Sequence, residues 1–375
     1  MTDPASSFSI NGRFLMQSVT GVQRVARELL AEFDALAVAG KIAPPRLLLP
    51  ARGDLVAPPA LEAIRPERGG RFTGHLWEQL ELPRMAGAEP LLCLGNTAPL
   101  ARVLARGRPT VAMVHDLSYK YFPAAYDWKF RALYGALIPV ILRKAQAVVT
   151  VSDAERRAIV TAYPALAGDG RLSFLQNGGL SDAVAQSVAA VPLAPMESRG
   201  YGLYVGSLTR RKNAEGLLRA AIAFLEAYPQ MRFVVIGASG ASFEGVQISV
   251  PAHLAARLEF RGQINDAATI HAAYRGARFL LFPSFYEASP LPPIEAMSFG
   301  CPALVSRIPS LTERCGEAAL YFEPEDQGQI AAAIRSVMED PALWHDYAAR
   351  ARAQAARYSW RAQAEGLIAL CEGLR

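Results

Sequence analysis

"ARFLLFPSFYEASPLPPIEAMSFGCPALVSRI", residues 277–308, holds two apolar runs, 277–284 and 301–308, with a short helical pattern between them. Neither run alternates with polar residues, which is the pattern of strands covered on both faces of a parallel sheet. The helical piece carries prolines at its first positions, stops at Gly300 and is followed by Pro302, the start and stop signals of a strand–helix–strand unit. The same unit recurs on either side. Strand patterns occupy 46–50, 90–94, 110–116, 145–153 and 171–178, then 201–207, 231–239, 258–264 and 318–324, with helical stretches such as 213–228 between them. This predicts an α/β protein of two Rossmann-like doubly wound domains facing a cleft. The small-residue, proline-containing stretch 183–200 separates the two series. The expected division is an N-terminal domain 1–185, a linker 186–200 and a C-terminal domain 201–355, with a last helix, 356–375, that stays there or crosses back.

A chain of 375 residues with 51% hydrophobic and 19% charged content can bury two cores at about 150 residues per domain. No stretch approaches ~18 uninterrupted apolar residues, and the opening residues lack a basic region followed by an apolar one, so a cytoplasmic protein is expected. Cys93, Cys301, Cys315 and Cys371 form no C-x-x-C pair, which fits reduced thiols and excludes a disulfide frame or zinc site. The net charge of +5 lies wholly in the first half: residues 1–190 hold 21 Lys and Arg against 16 Asp and Glu, and residues 191–375 hold 18 against 18. Basic and aromatic residues interleave in "YKYFPAAYDWKFRALYGALIPVILRKAQ", residues 119–146. That stretch reads either as an amphipathic helix packed on a sheet or as a peripheral contact with an anionic membrane. No zinc-finger spacing, basic-region heptad or aromatic ribonucleoprotein signature points to nucleic acid.

Ligands of open α/β sheets gather beyond the carboxyl ends of the strands. That rule selects His115, Asp116, Ser152, Asp153, Asn177, Gly178, Gly206 with the loop behind it, Gly237 and the segment 283–295. In "GSLTRRKNAEGLL", Arg210, Arg211 and Lys212 follow a strand end and precede a helix that Asn213 is suited to cap, a setting that favours a diphosphate. Glu287 stands at the exit of the strand 277–284, and Glu295 is expected in the first turn of the next helix. Two carboxylates beside an anion pocket would repel the anion, so their expected partners are hydroxyl groups on either side of it. The pair also reads as the acid and base of a glycoside hydrolase, or as a cap and a surface charge.

Taken in order, "TGVQRVARELL" (20–30), "HLWEQLELPR" (75–84), "GNTAPL" (95–100), "VHDLS" (114–118), "VVTVSDAERRAI" (148–159), "QNG" (176–178), "YVGSLTRRKN" (204–213), Glu287-x7-Glu295 and "CGEAALYFEP" (315–324) resemble the retaining glycosyltransferases of family four. Their fold is the two-Rossmann GT-B type, and the resemblance spans nearly the whole chain. It implies a hexosyltransferase with His115 and Glu287 at the transferred sugar. Gly21, Ser207, Arg211, Lys212, Leu291 and Glu295 would bind the donor, Lys212 and Arg211 at the diphosphate and Glu295 at the ribose. The implied partners are a GDP- or UDP-linked sugar donor and a growing glycan or polyprenyl-diphosphate-linked acceptor. No metal and no cofactor are implied, for there is no D-x-D sequence and the two cations suit the charge work. Similarity to bacterial polysaccharide mannosyltransferases points to mannose. The chain departs from the pattern in three places. "EASPLP" stands where relatives have E-G-F-G-L-P, Ser207 where they carry arginine, and "NGGL" lacks their aspartate. Taken alone, His115 reads equally as a structural histidine. Other classes weighed are a nucleotide-sugar epimerase, an idle sugar-nucleotide binder, and a dinucleotide oxidoreductase built on Gly237 and Gly240 of "VVIGASGAS".

Overall fold

The computed structural model describes residues 8–237 and 249–374, the side chain at 125 excepted; counts and absences below refer to those residues. Gly240 and the rest of 238–248 lie outside them. The chain forms two compact units. The first runs to Gly178 and takes in the helix Trp360–Glu372; the second runs from Gly179 to Ser359.

The first unit is built on strands β1 (Ser9–Asn11), β2 (Arg46–Pro50), β3 (Pro66–Gly69), β4 (Leu91–Cys93), β5 (Thr110–Met113), β6 (Ala147–Thr150) and β7 (Leu172–Phe174). They pair in the order β3-β2-β1-β4-β5-β6-β7, every pair parallel. The second holds β8 (Tyr201–Val205), β9 (Arg232–Ile236), β10 (Leu258–Phe260), β11 (Ala277–Phe282), β12 (Ala303–Ser306) and β13 (Ala319–Phe322), in the order β10-β9-β8-β11-β12-β13, again all parallel. Two parallel sheets covered by helices are the doubly wound architecture expected. In each sheet the winding reverses once, between β1 and β4 and between β8 and β11. Those two points leave crevices at the strands' carboxyl ends.

The long central strands follow from composition. β11 is buried at every residue, as an uninterrupted apolar run between two helical layers must be. β1 and β3 carry no such signal. β1 is three residues long, and β3 reads Pro-Glu-Arg-Gly with no buried position, which fits an edge strand whose Pro66 removes one ladder donor. The segment expected as a linker, 186–200, instead belongs to the second unit. Its first residues finish the helix Asp182–Ala189, Val188 and Met196 are buried, and the buried Arg199 donates to Ala277 O at 3.1 Å and Phe299 O at 2.9 Å. Small residues and prolines resemble a linker in composition, but these ones seat backbone and an arginine against the core. The terminal helix packs on the helix Gly21–Val38, where Arg361 Nε meets Glu32 at 2.7 Å, and Gln363 donates to Asn177 at 3.0 Å.

The helix Trp128–Lys144 starts on an Asp127 cap and buries Tyr134, Leu137, Ile138, Ile141 and Leu142, a single face at helical spacing. Trp128 stays 71% exposed, and Lys129, Arg131, Arg143 and Lys144 are exposed with it. No helix is long and apolar enough to cross a membrane.

Candidate active site

At the second sheet's switch point the chain leaves β8 through Gly206. Gly237, at the end of the neighbouring β9, has φ +151°, and a Cβ there would stand 2.0 Å from Gly206 O. Only glycine permits that approach of two strand ends. The turn from Ser207 to Lys212 follows, and Asn213, in a left-handed conformation at φ +53°, caps the helix Ala214–Ala227 through Gly216 N at 3.0 Å. Asparagine tolerates that region better than most residues. Arg210 is exposed, whereas Arg211 and Lys212 turn towards the exit of β11.

There Glu287 receives Lys212 Nζ at 2.7 Å, Arg211 Nη1 at 3.3 Å and the Ser284 hydroxyl at 2.9 Å. Arg211 also donates to Tyr286 O at 2.8 Å, and its own carbonyl takes Phe285 N at 3.0 Å, so the two loops are stitched together. Lys212 lies 5.2 Å over the Phe282 ring. Burial pushes the Glu287 carboxyl up, but the charges of Lys212 and Arg211 and the hydrogen bonds overcome it and hold it below the carboxylate range. Burial likewise pushes the Lys212 ammonium down against the pull of Glu287. The group carries two cations against one anion.

Glu295 is placed differently from expectation. The helix begins at Leu291, so Glu295 is its fifth residue, in the second turn, and no acidic residue occupies the first. It is 1% exposed, and its Oε2 accepts from the Tyr274 hydroxyl at 2.8 Å. Leu291 is the buried first residue, and Pro292 and Pro293 behind it remove two of the helix's four leading N–H donors. Ser207 offers its carbonyl to the Tyr204 hydroxyl at 2.9 Å. Arg314 went unnoticed in the sequence. Fully buried 4.5 Å over the Tyr358 ring, it donates to Ser289 Oγ at 2.8 Å, and burial lowers its guanidinium to about 10. It thus holds the loop that departs from the family pattern.

In the first unit His115 follows β5. Its backbone N–H donates to Asn96 Oδ1 at 2.6 Å, and its Nε2 lies 2.8 Å from Leu94 O. A carbonyl can only accept, so Nε2 carries the proton and Nδ1 is left as an acceptor. Burial lowers the imidazole's pKa, against Leu94 and Asp116, which keeps the ring neutral. Gly21 opens the helix Gly21–Val38 behind Thr20, whose N–H and hydroxyl both donate to Gln23. A Cβ at Gly21 would meet nothing within 4 Å.

A second charged group, missed in the sequence, occupies the first sheet's switch point. Arg13, just beyond β1, pairs with Glu78 of the helix Gly74–Leu80 at 2.7 Å, with side chains 7% and 0% exposed. Asn11 (3.1 Å) and Thr97 (3.0 Å) also donate to Glu78, and Arg13 Nη2 donates to Thr97 at 3.0 Å. Burial raises the Glu78 carboxyl, yet Arg13, His75 and Thr97 together bring it down to about 2. The signal was present in "HLWEQLELPR". It lacked only a recognised β1 to put Arg13 at a strand end.

Two doubly wound sheets, each with ionised side chains gathered at its switch point, place the chain in the GT-B class of folds. The profile described as Glycosyltransferase Family 4 matches residues 19–178, and that described as Glycosyl transferases group 1 matches 192–354. The chain belongs to this family of glycosyltransferases. It is 33% identical over 264 residues to O-antigen chain mannosyltransferase B of Escherichia coli, covering 67% of this chain and 66% of that one. It is 26% identical over 242 residues to D-inositol 3-phosphate glycosyltransferase 2 of Catenulispora acidiphila, covering 60% and 55%. The match thus spans just under two thirds of the first relative and just over half of the second. The fold is shared with sucrose-phosphate synthase of Thermosynechococcus elongatus, at a TM-score of 0.67 and 21% identity over 99% of this chain and 96% of that one.

Proposed function

We propose that the chain is a retaining, metal-independent hexosyltransferase that moves mannose from a nucleoside diphosphate sugar, GDP- or UDP-linked, to a growing glycan. The observation that carries this reading is the Lys212–Glu287–Arg211 group, an excess positive charge at a switch point. As the bond from the sugar C1 to the diphosphate breaks, the ring gains positive and the leaving phosphate negative charge; Lys212 and Arg211 stabilise the latter without a divalent ion. Glu287 meets the sugar, and the acceptor hydroxyl attacks from the leaving-group face while its proton passes to a phosphate oxygen. His115, neutral with Nδ1 as acceptor, takes a hydrogen bond from a sugar hydroxyl. Gly21 and Leu291 offer backbone N–H groups to the donor, Ser207 lines the β8 exit, and Glu295 reaches the ribose once Tyr274 yields its bond.

Mannose is the sugar named for the first relative above. We place the protein in the cytoplasm against an anionic membrane carrying a polyprenyl-diphosphate-linked acceptor, through Trp128 and the exposed cations of its helix. Replacing Lys129, Arg131, Arg143 and Lys144 with glutamine should release the protein from anionic vesicles in a sedimentation assay; undiminished binding removes the membrane from the proposal.

The testing experiment is calorimetry with UDP, GDP, ADP, dTDP and NAD, with and without chelator, on the wild type, Lys212→Ala and Glu295→Ala. One diphosphate should bind regardless of chelator and be lost in both variants. Binding of NAD alone, or of nothing, overturns the reading.

A further inference from the structure

Where relatives carry two glycines in the loop behind Glu287, this chain carries Ala288, Ser289 and Pro290. Pro290, Pro292 and Pro293 have no N–H, so the segment from Glu287 into the helix Leu291–Ser298 is short of backbone donors. A side chain can stand in for them. Ser289 is half-buried, two residues beyond Glu287, and its Oγ accepts from Arg314 Nη1 at 2.8 Å. That bond occupies a lone pair and leaves the hydroxyl's own hydrogen to donate.

Arg314 is anchored from several sides. It belongs to the helix Pro309–Cys315, has no exposed surface and lies 4.5 Å over the Tyr358 ring. Its carbonyl takes the Tyr358 hydroxyl and Gln354 Nε2, each at 2.7 Å. Burying a guanidinium costs more than burying an apolar side chain of similar volume, so the charge has a task at Ser289 that an apolar residue could not perform. Glu295 is among the groups that pull on that charge, so the same guanidinium senses the expected ribose contact while it holds the loop of Glu287. A serine hydroxyl has three staggered rotamers, and a bond to a fixed guanidinium selects one of them.

Glu287 and Ser289 give the loop one acceptor and one donor two residues apart. Such a pair suits hydroxyl groups of a sugar ring, which both accept and donate. A diphosphate already has Lys212 and Arg211. Resting on the transferase reading above, we propose that Ser289 is a specificity-determining contact that donates its hydroxyl hydrogen to a hydroxyl of the transferred sugar, and that Arg314 is the positioning residue that fixes its rotamer.

The test is calorimetry on the full chain with UDP, GDP, UDP-glucose and GDP-mannose. It uses the wild type, Ser289→Ala, Ser289→Thr, Arg314→Met and the Ser289→Ala, Arg314→Met double variant. The readout is the ratio of nucleotide-sugar to bare-nucleotide affinity for whichever base binds. Ser289→Ala should lower that ratio by about three- to tenfold, the scale of one hydrogen bond, and leave the bare nucleotide where it was. Ser289→Thr keeps a hydroxyl and should stay within about twofold of the wild type. Arg314→Met should reproduce the loss, and the double variant should lose no more than either single one, because the two residues act as a unit. A serine with a structural role alone would weaken nucleotide and nucleotide sugar together. Ser289 lies outside any helix or strand, so its variants carry the test even if Arg314→Met fails to fold. An unmoved ratio in Ser289→Ala, or equal losses in Ser289→Ala and Ser289→Thr, overturns the proposal, and additive losses in the double variant overturn the part assigned to Arg314. If the wild type binds none of the four probes, it is the transferase reading that fails.

Discussion

Each sheet places a glutamate at its switch point, Glu78 fully buried and Glu287 half-buried, and the two are neutralised to different degrees. Glu78 has one permanent cation, Arg13; Asn11, Thr97 and Gln79 donate to it, and His75 Nδ1 stands 3.6 Å away. Glu287 has two cations, Lys212 and Arg211, and takes one hydroxyl from Ser284. Burial penalises both carboxylates and partners rescue both. The sums differ: zero at Glu78, one positive charge at Glu287. A closed pair is structural capital that an anion has no reason to enter. A pair with a spare cation is an anion site holding an internal placeholder, which a diphosphate relieves of part of its work. Fold alone makes the two crevices equivalent; one additional basic side chain separates their tasks.

That comparison is broken most directly at Glu78. Truncating Glu78→Ala strands Arg13 in the interior and should cost about 3–5 kcal/mol in chemical denaturation, while a change of under 1 kcal/mol would show that the pair is dispensable. The same pair dictates acid behaviour. The folded carboxyl lies at about 2, against an ordinary value of 4.5. Its contribution is therefore whole above about 4.5 and is lost as pH falls towards 2. Denaturation midpoints of the wild type should drop across that window, and those of Glu78→Gln should drop less. Next in size, Lys212→Ala should lower turnover by about 10²–10³-fold, the effect of removing one preorganised donor to a developing anion, with Arg211 left as the remaining partner of Glu287. The sharpest contrast is Glu287→Gln. Removing the placeholder's charge frees both cations, so the bare nucleoside diphosphate should bind about tenfold more tightly while sugar transfer falls. Weaker nucleotide binding in calorimetry would mean that Glu287 orders the cations rather than opposing the ligand.

How much of this was legible in the sequence follows the same division. The second sheet announced itself because its strands are long and apolar throughout, and because Arg211, Lys212 and Glu287 each stand directly behind a recognisable strand end. The first sheet's site was hidden by β1. Three residues, Ser-Ile-Asn, carry no periodicity, so Arg13 had no strand end to belong to and Glu78 was seen only as part of a motif. Glu295 stands just past the first turn, where it was expected. Prolines mark that turn without fixing its first residue, and the helix begins at Leu291, which puts Glu295 fifth. The linker failed for a different reason: composition reports how a segment would behave alone, and Arg199 and Val188 are held by partners far along the chain. Long-range pairing of this kind has no local signature.

The smallest expected effect tests whether the first unit is wholly excluded from binding anions. Gly21 is the first residue of its helix, and a methyl group there touches nothing within 4 Å. Gly21→Ala is therefore free of packing cost and, by restricting the unfolded chain, should leave the melting temperature unchanged or raise stability by up to about 1 kcal/mol. If its backbone N–H approaches the donor phosphates, the same methyl occupies the approach, and nucleotide affinity should fall by a few-fold, well below the loss at Lys212, because a neutral N–H competes with water more evenly than an ammonium does. Calorimetry decides between two versions of the comparison. A weakened but fully folded variant gives the first unit one anion contact, located at a helix N-terminus and distinct from its neutralised crevice. Unchanged affinity assigns every diphosphate contact to the second unit and makes the separation by charge complete.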